Sequence, residues 1–161
     1  MINLEQLDML RASKIGAELT PDQSAVLSEL IQVRKLADGE VLVGEGTRDN
    51  HLYVLVSGTL AVVRNAGSPE EVALFTLNAG DLVGELSFID GTEHYASLVA
   101  RGPTQVFGLE RERLESLLTK HPDIVYRVMR AIIRTAHNIQ RRISMYSIEL
   151  TNYIYKQHGR Y

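Results

Sequence analysis

The chain contains no cysteine, which excludes disulfide cross-links and cysteine-ligated iron–sulfur clusters. It has no run approaching the ~20 apolar residues of a membrane-spanning helix. Its first ten residues form an amphipathic segment with acids at Glu5 and Asp8, without the basic start and apolar core of a secretory leader. The expectation is a cytoplasmic protein with no membrane attachment. An excess of one charge is also missing: 17 Lys and Arg stand against 20 Asp and Glu, for a net charge of −3, so there is no overall pull toward nucleic acid. His51, His94, His121, His137 and His158 show no His-x-x-x-His or carboxylate-linked spacing, so no metal is expected. Glu85, His94 and Ser97 lack the strand–turn–helix context of an activated nucleophile, and no enzyme is expected.

What is present suffices for one core. With 161 residues and 45% hydrophobic content, a single domain should bury roughly 70% of its unfolded surface. Thr20-Pro21-Asp22-Gln23 reads as a capping box with proline at the first helical position, and Val26, Leu27 and Leu30 continue at helical spacing, which predicts a helix to about Val33. β-Branched and aromatic runs broken by glycine, asparagine or proline then predict strands at 41–43, 52–56, 59–64, 72–77, 96–101 and 105–109, with 65–70 as a loop. A short helix over 111–120 stops at His121-Pro122. The fold class is mainly β with flanking helices (α+β): a jelly-roll-like barrel with N-terminal helices and a long C-terminal helix. One domain over 1–161 divides into a helical segment (1–36), the barrel (37–110) and C-terminal helices (111–157).

The most informative segment is 84–98. Amides at the start of a helical turn have no intrahelical partner and carry partial positive charge, so Leu86 and Ser87, after the permissive Gly84, can receive an anionic oxygen. Glu85 repels that anion, but an acceptor-only carboxylate suits sugar hydroxyls. The pattern points to a sugar phosphate; an ordinary strand–turn–strand link with a surface glutamate has the same local pattern.

A second pattern precedes it: Leu42-Val43, Gly46-Thr47, Leu52-Tyr53-Val54-Leu55 and Gly58. Together the two segments resemble the cyclic nucleotide-binding domain family, the module of catabolite-activator-type bacterial regulators, cyclic-nucleotide-dependent kinases and gated channels. The resemblance covers about residues 10–155. It implies that Gly84, Leu86 and Ser87 hold the cyclic phosphate of cAMP or cGMP, that Glu85 takes the ribose 2′-hydroxyl, and that no other cofactor is needed. The sequence departs from the family pattern at Asp49, where a small residue is usual, and at His94 and Tyr95, where arginine and a small residue are usual. His94 and Tyr95 carry over to the ligand site by position only.

Arginine is a permanent bidentate donor, whereas an imidazole ordinarily titrates near pH 6.5 and offers at most one proton per nitrogen. A lost charge-assisted hydrogen bond is worth about 1.5–3 kcal/mol, or about 10- to 150-fold in affinity. By sequence alone, His94→Arg should restore at least about tenfold of this. Arg48 or Arg64 can reach in from another loop; Arg101 would lie about 20 Å from His94 along a strand.

The C-terminal helix carries Val125, Met129, Ile132, Ala136, Ile139, Ile143, Tyr146, Leu150 and Tyr153 at alternating spacings of four and three, a heptad seam. A helix over 122–155 would be about 50 Å long, longer than such a barrel covers, which predicts a parallel homodimer. Arg127, Arg130, Arg134, His137 and Arg141 fall opposite the seam and read as a solvated face. The resemblance implies that this helix contacts the purine, and geometry alone places that role near residues 135–142. In the transcription regulators of the family a helix-turn-helix domain follows this helix; six residues after Tyr155 are too few for one, so no direct DNA binding is expected and output passes through dimer geometry or a protein effector.

Two functional readings follow. One is a regulatory module that senses a cyclic nucleotide or related small anionic ligand. The other is a ligand-free dimeric interaction scaffold whose pocket is plugged by His94 or Tyr95.

Overall fold

The computed structural model describes residues 1–158, with the side chains of Arg142, Ile143 and His158 outside the described set. Eight strands form two antiparallel four-stranded sheets. They are β1 (Gln32–Leu36), β2 (Val41–Val43), β3 (His51–Ser57), β4 (Leu60–Arg64), β5 (Val72–Leu77), β6 (Leu82–Val83), β7 (Ser97–Ala100) and β8 (Thr104–Glu110). One sheet runs β1-β8-β3-β6 and the other β2-β7-β4-β5, the expected jelly-roll arrangement. Helices α1 (Leu4–Arg11) and α2 (Pro21–Ser28) precede the strands, α3 (Glu85–Asp90) lies between β6 and β7, and α4 (Arg111–Glu115) and α5 (Pro122–His158) follow.

Strand β3 explains the two-layered core. Its apolar run is buried on both faces because successive side chains point in opposite directions. Tyr53 and Leu55 face the barrel interior with Leu60, Val62, Leu98 and Val106. Leu52 and Val54 face outward into a second cluster, where Phe88, Phe107 and Leu109 meet Ile124, Val128 and Ile132 of α5. The long helix is therefore docked on the sheet through the same strand that lines the barrel.

The capping box forms as expected: Gln23 N donates to Thr20 Oγ1 at 3.2 Å, and Thr20 N donates to Gln23 Oε1 at 2.9 Å. The helix it starts is shorter than the sequence pattern predicts. It ends at Ser28, and residues expected to continue it form β1, paired antiparallel with β8 from Gln32↔Gly108 to Leu36↔Thr104. Local spacing cannot reveal this, because the partner strand is remote in sequence and its ladder outweighs helical propensity. The two-residue β6, which pairs Val83 with Tyr53, is likewise missing from the expected strands.

Helix α5 corrects two further expectations. Val125 and Ile132 are buried in the intramolecular core and Met129 packs against it, so these three seam residues are unavailable to a partner. The buried stripe is Ile124, Val125, Val128, Ala131, Ile132 and Thr135; this broad face is the pattern of a helix docked on a globular core. From Ala136 onward the described residues are exposed, among them Ile139, Tyr146, Leu150 and Tyr153. Ile143's side chain lies outside the described residues. The arginines are not all on a solvated face either. Arg130 Nε and Arg134 Nε converge on Glu18, at 3.1 and 3.0 Å, and the Glu18 side chain is only 11% exposed. Their one-turn spacing lets both reach the 3₁₀ turn Gly16–Glu18. No described helix is long and apolar enough to cross a membrane.

Candidate functional site

Strand β6 delivers the chain to Gly84, which adopts a left-handed conformation (φ +85°) and starts α3. A side chain there would be strained whatever the space, and its Cβ would lie 3.4 Å from His51 O and 3.5 Å from the Tyr53 ring. Phe88 N donates to Gly84 O at 3.1 Å; the amides of Glu85, Leu86 and Ser87 precede this first turn and have no i−4 acceptor. Phe88 is fully buried and fastens the turn to the core, while the Leu86 side chain is exposed. Gly91, left-handed at φ +73°, ends the helix.

Ser87 serves the scaffold through its side chain. Its hydroxyl donates to Asp49 O at 2.7 Å and accepts from Asp49 N at 2.8 Å, which staples the turn to the β2–β3 loop. The same loop is stitched to the chain beyond α3: Gly46 N donates to His94 O, and His94 N donates to Thr47 O, both at 2.8 Å. The two sequence patterns, far apart in the chain, thus build one wall.

Gly84, Glu85, Leu86, Ser87, His94 and Tyr95 all line one cavity, with Phe75, Leu82 and Ile139 opposite. Its volume is about 50 Å³, room for a few waters rather than for a ligand needing several hundred cubic ångströms. A larger cleft of about 580 Å³ adjoins it between the barrel and α5, shares Phe75, Leu77, Leu82 and Ile139, and is lined further by Thr135, Asn138, Arg141 and Tyr146. Glu85 is half-buried, and its carboxylate forms no hydrogen bond or ion pair among the described residues. Burial, and then the nearby Glu85 carboxylate, pushes the Tyr95 phenol above its ordinary range.

His94 occupies the wall differently from an extended arginine. Its side chain is 7% exposed, and Nε2 lies 3.3 Å from Asp49 Oδ1. Nε2 is buried and the contact falls short of hydrogen-bond alignment. Asp49 is itself held firmly: Oδ1 accepts from His51 N at 3.2 Å and Oδ2 from Tyr53 Oη at 3.1 Å. Burial, and then Asp49, pushes the Tyr53 phenol well above its ordinary range, which keeps it a donor. Of the arginines considered as substitutes, Arg64 pairs with Glu45 at 3.0 Å and Arg101 with Glu71 at 2.8 Å, none of them lining the cavity, whereas Arg48 pairs at 3.1 Å with Glu93, which does.

A family model for the cyclic nucleotide-binding domain matches residues 33–121, more than half of the chain. The chain belongs to this family. Among curated relatives of the cyclic nucleotide-binding domain, a CRP-like cAMP-activated global transcriptional regulator of Mycobacterium tuberculosis is 24% identical over 79% of this chain and 57% of its own length. A cyclic AMP receptor protein of Thermus thermophilus is 25% identical over 87% and 65%. The chain spans between about half and two thirds of these relatives' length. A solved cyclic nucleotide-binding domain from Methylobacillus flagellatus shares the fold, with a TM-score of 0.74 over 86% of this chain and 78% of its own, at 24% identity.

Against the cyclic nucleotide-binding domain pattern, the departures at Asp49 and His94 fall on one pair of facing side chains, and Tyr95 stands beside them at the cavity mouth. Sequence reasoning misses Phe75, Leu82 and Ile139 as cavity walls. Ile139 falls on the heptad seam, and its place within 135–142 is the available signal.

Proposed function

We propose that this chain is a non-enzymatic regulatory module in which the Gly84–Ser87 turn binds a cyclic nucleotide, cAMP or cGMP, and α5 transmits occupancy. The domain comprises 1–161, with the barrel opening at β1 (Gln32–Leu36), inside the 1–36 segment that the sequence pattern gives to helices. The observation that carries the reading is the unengaged Glu85 carboxylate beside amides that lack helical acceptors, a donor–acceptor set suited to a phosphate next to a ribose hydroxyl. The purine then extends into the 580 Å³ cleft, toward Thr135 and Asn138. Opening the small cavity into this cleft requires Ile139 and Tyr95 to yield. Because Ile139 belongs to both spaces, a ligand that separates it from Phe75 has unequal affinity for two positions of α5, the condition for a population shift.

The test is a calorimetric titration of the whole chain with cAMP and cGMP at fixed salt. Saturable binding of either is expected, and Glu85→Ala should weaken it about 10- to 150-fold, the worth of a hydrogen bond to a charged group. Equal affinity in the variant would remove Glu85 from the site. No heat with either nucleotide would support the second reading, a ligand-free scaffold, which the 50 Å³ volume and the engagement of His94 by Asp49 favour.

In either reading the exposed half of α5 mediates a parallel homodimer through Ala136, Ile139, Tyr146 and Leu150, with a protein effector downstream. Tyr146 and Leu150 are 71% and 63% exposed, large apolar groups with no cover. Sedimentation should show a dimer that the Tyr146→Glu, Leu150→Glu double variant converts to monomer with unchanged circular dichroism. A wild type that sediments as a monomer at every accessible concentration would rule the dimer out.

A further inference from the structure

Of the features around the barrel, the buried contact between Asp49 and His94 has the most specific chemical consequence. Asp49 Oδ1 stands 3.3 Å from Nε2 without hydrogen-bond alignment, near enough for the carboxylate to attract any positive charge carried at position 94. With a charged imidazole the pair is neutral, and with a neutral one it carries one negative charge. Glu85 adds another negative charge on the same cavity, and Glu93, also on its wall, is balanced by Arg48. Tyr53, Tyr95 and His51, stacked on Tyr53 at 5.8 Å, supply no positive charge to offset the carboxylates unless His51 is protonated. Neither state of the pair therefore gives the cavity a net cationic clamp. The carboxylate is also built in, since the His51 amide, the Tyr53 hydroxyl and both backbone bonds to Ser87 fix it.

We propose that Asp49 is a specificity-determining residue that captures the side chain at position 94 and withdraws it from the ligand, leaving the turn amides as the phosphate's donors and a pocket that separates a cyclic nucleotide from its phosphate-free nucleoside less sharply than a clamped site does. This rests on the reading of the Gly84 turn as the ligand site. It changes the expectation for His94→Arg. A guanidinium placed beside Asp49 is drawn to that carboxylate, and the forked donor is spent within the wall. Position 94 becomes a phosphate clamp only when the charge at position 49 is removed.

The experiment compares cAMP with adenosine, the same ribose and base without the phosphate, by calorimetry on four proteins: wild type, Asp49→Asn, His94→Arg and the double variant. The amide introduced by Asp49→Asn retains an acceptor oxygen for the wall while removing the charge; Asp49→Ala serves if Asp49→Asn misfolds. Wild type and His94→Arg should prefer cAMP over adenosine to the same degree within about threefold, and the double variant should exceed that preference by at least about tenfold. A full tenfold gain in that preference from His94→Arg alone would overturn the proposal. If none of the four binds either ligand, the ligand-site reading falls, and nitrogen-15 correlation of the His94 ring decides the capture separately. A proton on Nε2 whose signal moves in Asp49→Asn upholds it, and an unprotonated Nε2 in the wild type overturns it.

Discussion

Phe88→Ala is expected to lower the unfolding free energy by about 3–5 kcal/mol, the usual cost of deleting a buried phenylalanine ring. Phe88 is fully buried in the cluster shared by β3, β8 and α5, and it lies on the same short helix as Glu85 and Ser87. A six-residue helix does not hold itself together in water; the Phe88 anchor and the Ser87 staple to Asp49 give this one its place. The loss is a large part of the 5–15 kcal/mol typical of a single domain, and a thermal melt followed by circular dichroism should shift down by roughly 6–20 °C. Any variant that remains folded should also bind nucleotide more weakly, because the turn amides are no longer aimed. A shift below about 2 °C would mean that the turn is held by something other than its aromatic anchor.

Gly58→Ala should be nearly as damaging, far from the cavity. Gly58 has φ +85°, and an added Cβ would sit 2.4 Å from Pro103 O and 2.7 Å from Thr104 Oγ1. A left-handed alanine costs about 1–2 kcal/mol by itself. The backbone clash adds to this, because Pro103 and Thr104 cannot retreat while Thr104 Oγ1 donates to Thr59 O at 3.0 Å and the strands on either side stay paired. A total of roughly 3 kcal/mol or more is expected. Gly46 supplies the control, with φ +78° but nothing within 4 Å of its added Cβ, so Gly46→Ala should cost only the left-handed strain. Chemical denaturation of the two variants side by side checks the difference; equal losses would remove the steric component.

These two glycines show what the sequence could disclose. The pattern from Leu42 to Gly58 and the turn at Gly84 are legible because a left-handed glycine and an alternating apolar strand leave local marks. Pairings between distant segments leave none. Strand β1 is hidden inside an apparent helix because β8 decides its conformation. The apolar spacing of α5 is visible, but where intramolecular docking stops, after Thr135, depends on the extent of the sheet beneath it. Arg130 and Arg134 read as solvated because Glu18, their partner, sits near the other end of the chain. At the candidate site, Asp49 and His94 stand out one at a time as departures from a family pattern. Only the fold reveals that they face each other, and with that the difference between a weakened phosphate contact and a side chain diverted into the wall.

Helix α5 has one mechanical property that follows from its split exposure. Its first turns are embedded in the core and clamped by Glu18, whereas the described residues after Thr135 are exposed, with Ile139 still on the cavity wall. About 22 residues beyond that pivot make a lever arm of about 33 Å, so a tilt of about 10° at the root sweeps the tip through about 6 Å. A displacement at Ile139 too small to disturb the barrel is thus magnified at the far end, where the exposed tyrosines would feel it as a change of register.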